Sequence, residues 1–318
     1  KKKILGGIEM ANFELKNIKG VIPALITPFD EHEEFDENRM RKLVNHLIER
    51  GMDGLYLTGS TGEGFLMTPE ERKKVVEVVI DEVHGRIPVI VHVGAISTKI
   101  SIDLAKHAYA TGADAISSVP PFYWKFKEEN IYKYYEAVSM STPLPMIVYN
   151  VPLAGLLGFD FICRLANIPN VKGVKYTACT HQDIYKCKDK ISQDFMVYSG
   201  ADEMAVSGII NEADGIIGSF YSMMPDVFKD IYQKVKSGDI AGAQKKQKIA
   251  VDIIEASLKY DYYAVIKESL RWMGVDAGYV RAPFMNLSEE EIKKVKQSFK
   301  EIKAHYQVND IEVLNACD

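Results

Sequence analysis

The feature that most constrains the fold of this chain is a regular alternation of short apolar runs with amphipathic helical patterns. Eight such pairs follow one another between residues 20 and 236. The apolar runs are rich in β-prone residues, whereas the intervening segments repeat apolar residues at helical spacing. Strands that alternate with helices build parallel sheets, and eight such units close into a barrel. The sequence therefore predicts an α/β fold, a (β/α)8 TIM barrel.

The predicted elements follow from this alternation. We expect strands at residues 21–29, 54–58, 88–93, 114–121, 145–149, 171–176, 195–198 and 214–219. We expect the paired helices at residues 37–50, 69–84, 97–111, 127–140, 159–166, 181–191, 204–211 and 225–236. The clearest helix start is Thr68-Pro69-Glu70-Glu71, which combines a capping box with proline at the first helical position.

The chain continues beyond the eighth pair with further helical patterns. They cover residues 240–258, 263–273 and 289–304. We therefore expect a catalytic barrel at 20–236 with a C-terminal helical appendage at 237–306 packed on it. The tails carry no clear structural signal; they are residues 1–19 and 307–318.

Composition excludes several classes of function. The 318 residues carry a formal net charge of −5 and no basic run that would follow phosphates, so no nucleic-acid partner is expected. No apolar run reaches the roughly 18 residues of a membrane span, and the N-terminus lacks the apolar region of a secretory signal. The cysteines form no CxxC pair; they are Cys163, Cys179, Cys187 and Cys317. We expect a reducing, cytoplasmic location and no membrane partner.

A lysine ends the sixth predicted strand. In a barrel of this kind the site lies at the carboxyl ends of the strands, where Lys175 is placed. A lysine delivered to a partly dry site can lose its proton and attack a ketone to form a protonated Schiff base. Tyr149 ends the fifth strand and is the candidate for moving the proton. The alternatives are a strand-end lysine that reaches solvent and an ordinary barrel-interior tyrosine.

The second predicted strand ends in a glycine-rich turn, residues 59–64. Its hydroxyls, Ser60 and Thr61, can converge with backbone N–H groups on a carboxylate. A plain tight turn is the alternative.

Two carboxylates follow the seventh strand. Asp202 and Glu203 would repel a phosphate, whereas they accept hydrogen bonds from sugar hydroxyls. They therefore favour an unphosphorylated polyol, unless they are solvated loop charges.

The sequence predicts neither a metal nor a dinucleotide site. His92 and His107 are isolated, one in a strand and one in a helix, and no GxGxxG follows the first strand. We expect no cofactor besides the covalent Schiff base on Lys175.

Four motifs together resemble the dihydrodipicolinate synthase/N-acetylneuraminate lyase superfamily. They are Gly59-Ser60-Thr61-Gly62-Glu63, Tyr149-Asn150-Val151-Pro152, Gly173-Val174-Lys175 and Gly218-Ser219. The resemblance implies a homotetramer, a Schiff base on Lys175, Tyr149 as proton shuttle, and a pyruvyl carboxylate at Ser60 and Thr61. It also implies that Tyr123 completes a proton relay across a subunit interface.

Within this superfamily the lyase branch is favoured. The synthase branch has an arginine just after its YNVP motif, whereas this chain has Leu153-Ala154-Gly155. Thr177 and the segment Gly200-Ala201-Asp202-Glu203 resemble the lyase, and the resemblance places Gly200, Asp202, Glu203 and Ser219 at the glycerol tail of the substrate. Phe220 and Ala201 depart from the residues expected at their positions.

The expected function is therefore cleavage of N-acetylneuraminate to N-acetylmannosamine and pyruvate. The expected partners are a keto acid, an amino sugar and further copies of the chain. One alternative keeps the imine but changes the reaction, as in a 2-keto-3-deoxy sugar-acid aldolase or dehydratase or the synthase itself. Another is a non-catalytic barrel that senses a keto acid, although a sensor needs neither Lys175 nor Tyr149.

Overall fold

The computed structural model of the protein describes residues 4–5, 8–9 and 13–317. Eight parallel strands form a nearly closed barrel, which agrees with the prediction. They are β1 (Gly20–Pro23), β2 (Leu55–Leu57), β3 (Val89–His92), β4 (Ala115–Ser118), β5 (Met146–Asn150), β6 (Val171–Tyr176), β7 (Met196–Ser199) and β8 (Gly215–Gly218). Each strand pairs with the next along the chain from β2 to β8, and β8 pairs with β1. A single parallel bridge between Ala24 and Tyr56 joins β1 to β2.

Eight helices alternate with the strands. They are α1 (Glu37–Glu49), α2 (Pro69–Val83), α3 (Thr98–Thr111), α4 (Glu128–Ser139), α5 (Phe159–Leu165), α6 (Gln182–Lys190), α7 (Ala205–Ile210) and α8 (Pro225–Ser237). The predicted capping box of α2 is present, because the Thr68 hydroxyl accepts from the Glu71 N–H while the Glu71 carboxylate accepts from the Thr68 N–H. None of the helices in the described ranges has the length and apolarity to cross a membrane.

The strands bury both faces, as parallel strands in a barrel must. Residues such as Val91, Val148 and Val197 point outwards and form one core layer with the helices. Alternate residues point inwards and fill the barrel; those from the strands are Ile22, Tyr56, Ile90, Ala115, Ile147, Tyr149, Met196, Tyr198 and Ile217. This inner layer supports the functional side chains above it.

The C-terminal helices pack beside the barrel. They are α9 (Ile240–Ser257), α10 (Tyr262–Trp272), α11 (Glu289–Tyr306) and α12 (Glu312–Asn315). No sequence pattern predicted α12, yet Val313 and Leu314 are fully buried and the Glu312 N–H donates to Asp226. Tertiary packing therefore orders a segment that is too short to form a helix by itself.

Two predicted strands are about half the expected length, and proline stands where each one ends. β1 stops at Pro23 rather than continuing to residue 29, and β4 stops at Ser118, before Pro120 and Pro121. The predicted N-terminal tail lies partly outside the described residues. Within the described part, Leu15 and Ile18 belong to the inner layer of the barrel, and Tyr198 donates a hydrogen bond to the Ile18 carbonyl.

Candidate active site

A cavity of about 480 Å³ opens at the carboxyl ends of the strands. All the predicted site residues except Tyr123 line it: Ser60, Thr61, Tyr149, Lys175, Thr177, Gly200, Asp202, Glu203 and Ser219. The barrel brings them together because parallel strands present all their carboxyl ends at one mouth. The remaining wall includes Phe220 and, from the C-terminal appendage, Leu258, Tyr262 and Tyr263.

Lys175 lies inside the barrel mouth and is only 3% exposed, so the alternative of a solvent-reaching lysine is wrong. It stands opposite Tyr149 in the β5–β6 register. Its Nζ atom lies 4.0 Å from the centre of the Tyr149 ring and 4.5 Å from that of Tyr56. An amine between two aromatic faces is sheltered from water, and both a cation and a neutral nucleophile can be accommodated there.

The glycine-rich turn forms one end of the cavity. The Thr61 hydroxyl lies 2.7 Å from the Ser219 hydroxyl, which joins the turn to the end of β8. Thr58 precedes the turn in the left-handed region, with φ of 54°, an unfavourable conformation for a β-branched residue. It is held there because its hydroxyl donates to the His92 carbonyl and the His92 ring lies 3.2 Å from the Thr58 carbonyl.

An acidic loop, residues 200–204, forms the other end. Asp202 is buried and accepts a hydrogen bond of 2.9 Å from the Phe220 N–H, whereas Glu203 is exposed. Burial raises the pKa of Asp202 to about 7; the charge of Glu203 adds to this shift and the Phe220 N–H opposes it. Asp202 is therefore a hydrogen-bonding group whose charge changes near neutral pH.

Thr177 connects the lysine strand with the acidic loop. Its hydroxyl is buried and has no hydrogen-bond partner within the described residues. Gly200 lies so close that a Cβ atom there would meet this hydroxyl at 2.0 Å. The glycine therefore leaves room for Thr177, whose free hydroxyl is available to a ligand.

Tyr123 lies outside this cavity. It is 82% exposed, has a φ of 80° and packs edge-to-face against Trp124. It does not line the cavity that holds Lys175 in its own chain.

Tyr56 is a site residue that the sequence analysis missed. Its inward position in β2 was readable from strand alternation, but its contact with Lys175 was not. Its hydroxyl donates to Ser117 at 3.0 Å, so the polar end points away from the lysine. His92 is a buried interior histidine, as expected: burial lowers its pKa, and its Nε2 atom accepts from the Val119 N–H.

Across the described part of the chain, no group of three or more His, Cys, Asp or Glu side chains is arranged to hold a metal ion. Cys179 is exposed at the cavity rim, and Lys175 is the only cationic side chain among the lining residues. The geometry therefore combines one sheltered amine, one hydroxyl-rich end and one acidic end.

Comparisons with known proteins agree with this geometry. The model of the dihydrodipicolinate synthetase family matches residues 17–302. An N-acetylneuraminate lyase from Citrobacter koseri is 38% identical over 287 residues, which is 88% of this chain and 96% of the relative.

Solved structures give the same result. The wild-type sialic acid aldolase of Ruminococcus gnavus is 32% identical and superposes with a TM-score of 0.87, covering 92% of this chain and 98% of that one. A dihydrodipicolinate synthase from Bacillus anthracis is 31% identical with a TM-score of 0.84, covering 88% and 97%. The chain therefore belongs to the dihydrodipicolinate synthetase family.

Proposed function

We propose that the protein cleaves N-acetylneuraminate to N-acetylmannosamine and pyruvate through a Schiff base on Lys175. The observation that carries this proposal is the sheltered Lys175 amine beside Tyr149, between a hydroxyl-rich end and an acidic end. Relatives named as lyases and aldolases of this sugar acid support the choice of substrate.

The reaction begins at the ketone carbon, C2, of the open-chain sugar acid. The Lys175 amine adds to this carbon and water leaves, which gives an iminium ion. The C3–C4 bond then breaks and its electrons move towards the iminium nitrogen as an enamine forms. Tyr149 relays the proton of the C4 hydroxyl, with the substrate carboxylate as its partner, and N-acetylmannosamine departs. The proton returns to C3, and hydrolysis of the imine releases pyruvate and frees Lys175.

The two ends of the cavity orient the substrate. Ser60 and Thr61 bind the carboxylate next to the reacting ketone. Thr177, Asp202, Glu203 and Ser219, together with the Gly200 backbone, bind the polyol tail, since these oxygens match hydroxyl groups.

The lyase reaction fits the cavity better than the synthase reaction does. A synthase substrate carries a second carboxylate, which calls for a cation near the end of β5. Residues 152–154 form a short turn there with the apolar Leu153 on the cavity wall, and Lys175 is the only lining cation. No external cofactor is needed, because the amine itself supplies the electron sink.

We also propose that the protein is a cytoplasmic homotetramer. Tyr123, Trp124, Leu153 and Met285 are apolar side chains more than half exposed, a feature typical of surfaces that pack against another copy. In such an assembly Tyr123 would complete the proton relay of a neighbouring subunit.

Purified protein tests the proposal directly. With N-acetylneuraminate we expect release of equal amounts of pyruvate and N-acetylmannosamine, and with pyruvate and borohydride a reduced adduct on Lys175. Absence of pyruvate release would reject the substrate. Turnover of 2-keto-3-deoxygluconate, or of pyruvate with aspartate semialdehyde, would instead indicate the related reactions. Absence of the adduct would reject the imine and leave a keto-acid sensor.

A further inference from the structure

A buried ion pair links the C-terminal appendage to the glycine-rich turn. Lys267 of α10 donates a 2.6 Å hydrogen bond to Glu63, the fifth residue of the turn. Both side chains are at most 2% exposed. The second Glu63 oxygen accepts from the Arg281 N–H at 2.8 Å, so the carboxylate is fully engaged by the appendage.

The conformation of the turn depends on Glu63. This residue has a φ of 54°, in the left-handed region that residues other than glycine rarely adopt. Its N–H donates to the Ser60 carbonyl, and the next N–H, that of Gly64, donates to the Gly59 carbonyl. The Glu63 backbone therefore closes the loop that displays Ser60 and Thr61.

Lys267 reaches the turn by a second route. It also donates to the Thr27 carbonyl at 2.7 Å, and the Thr27 hydroxyl donates to the Gly62 carbonyl at 2.7 Å. A Cβ atom on Gly62 would lie 2.9 Å from the Leu25 carbonyl, so the turn is packed tightly against this segment. One ammonium group thus holds the turn through both Glu63 and Thr27.

Neither Glu63 nor Lys267 lines the 480 Å³ cavity that holds Lys175. The pair cannot touch a bound keto acid there, whereas Ser60 and Thr61, which the same turn carries, can. Glu63 borders a neighbouring cavity that shares Ser60 with the first, and the pair acts on a ligand beside Lys175 through the position of the turn.

We infer that Glu63 and Lys267 are positioning residues, through which the C-terminal appendage sets the affinity of the glycine-rich turn for the keto-acid carboxylate. The pair does not take part in the bond-making steps at Lys175. This inference rests on the proposed Schiff-base function and adds a role for the appendage.

The test is a double variant, Glu63→Gln with Lys267→Met, which removes both charges together and leaves neither one buried alone. We expect the pyruvate concentration that gives half-maximal borohydride trapping on Lys175 to rise about tenfold. At saturating pyruvate, the adduct yield and the kcat of the synthetic direction should stay within about threefold of wild type, because Lys175 and Tyr149 are unchanged.

A matched control is the buried pair Lys188–Asp214, which lies before β8 at the opposite end of the barrel. Lys188→Met with Asp214→Asn should lower the midpoint temperature of unfolding. It should leave unchanged the pyruvate concentration that gives half-maximal trapping. Gln247→Met is a second control. Gln247 of α9 is also largely buried, but it donates to the Asp202 carbonyl of the acidic loop, so its loss should spare pyruvate trapping.

The outcomes separate the inference from the proposed function. If wild-type protein forms no adduct, the Schiff base itself is rejected. If wild type forms the adduct and the double variant needs no more pyruvate than wild type, the positioning role is wrong. Should the double variant not fold, Glu63→Asp keeps both charges paired but shortens the link to the appendage by one methylene, and it should raise the pyruvate concentration for half-maximal trapping about threefold; an unchanged value would also overturn the inference.

Discussion

The two ends of the cavity use opposite chemistry. The glycine-rich turn offers neutral hydroxyls and backbone groups, and its shape is held by residues outside the cavity. The acidic loop offers one buried carboxylate, Asp202, and one exposed carboxylate, Glu203. Lys175 lines the same cavity and is the only cation among the described residues of its wall.

Because of this difference, the two ends of the cavity suit different parts of a sugar acid. A keto-acid carboxylate is repelled by the acidic loop and can be bound at the hydroxyl-rich turn. Sugar hydroxyls, which carry no charge, are good donors to Asp202 and Glu203. In the proposed reaction this arrangement favours the orientation in which the substrate carboxylate lies at the turn and the ketone at Lys175, and each prediction below tests this comparison.

The largest effect is expected at the amine shared by both ends. Lys175→Met should lower cleavage of N-acetylneuraminate by more than about 10⁴-fold, because no iminium ion can form. Pyruvate release and mass measurement after borohydride treatment check this. Lys172→Met is the control, since Lys172 lies on the same strand but is exposed, and it should keep the adduct. An adduct on the Lys175 variant would contradict the assignment.

The next effect concerns the two rings beside the amine. Tyr149→Phe should reduce kcat by about 10²–10⁴-fold while pyruvate trapping persists, because the relay is lost and the ring is kept. Tyr56→Phe is the matched control: its hydroxyl is engaged with Ser117, so we expect a change within about threefold. Equal losses in the two variants would show that the relay has been assigned to the wrong ring. Single-turnover kinetics separate imine formation from cleavage of the carbon–carbon bond.

The buried carboxylate of the acidic loop should lower the stability of the folded protein at neutral and alkaline pH. The pKa of Asp202 is raised by burial from an unfolded value near 3.8 to about 7. Its contribution to folding is therefore fully present below pH 3.8 and lost as the pH rises through 7. Asp202→Asn should increase the free energy of unfolding at pH 8 by on the order of 1–3 kcal/mol, with the gain shrinking towards pH 4. Urea unfolding of both proteins at pH 8 and pH 4 measures the gain. If the variant and wild type differed by the same free energy at both pH values, titration of Asp202 would not be the cause.

The same titration should appear in substrate binding. As the pH falls below about 7, protonation of Asp202 removes an acceptor for sugar hydroxyls. The KM for N-acetylmannosamine in the synthetic direction should rise by up to about tenfold between pH 8 and pH 5.5, while the KM for pyruvate changes less. In Asp202→Asn this pH dependence should disappear. Its persistence in the variant would assign the titration to another group.

The smallest effect is expected at the contact between the glycine-rich turn and the end of β8. The Thr61 and Ser219 hydroxyls are 2.7 Å apart, so Ser219→Ala removes one neutral hydrogen bond and the contact proposed with the polyol. We expect KM for N-acetylneuraminate to rise about threefold with kcat unchanged. Initial-rate measurements decide this, and a loss confined to kcat would place Ser219 in the chemistry instead.

The sequence by itself determined the barrel and most of the cavity wall. Strand–helix alternation specifies a parallel barrel, and parallel strands expose all their carboxyl ends together. Residues at those ends, such as Lys175, Tyr149 and Asp202, could therefore be grouped before any contact was known. Local patterns carry this information because side chains alternate between the two faces of a strand, and a helix after each strand gives all the strands the same direction.

Only the tertiary structure decided which of these residues touch and what holds them. Lys267 and Glu63 are 204 positions apart, and no periodicity relates them. Tyr56 meets Lys175 only because the barrel closes, and Tyr123 is left outside the cavity of its own chain. Burial also moves the pKa of Asp202, which a sequence cannot report. The physical reason is that such contacts arise from the packing of distant segments, whereas sequence patterns record only local geometry and average burial.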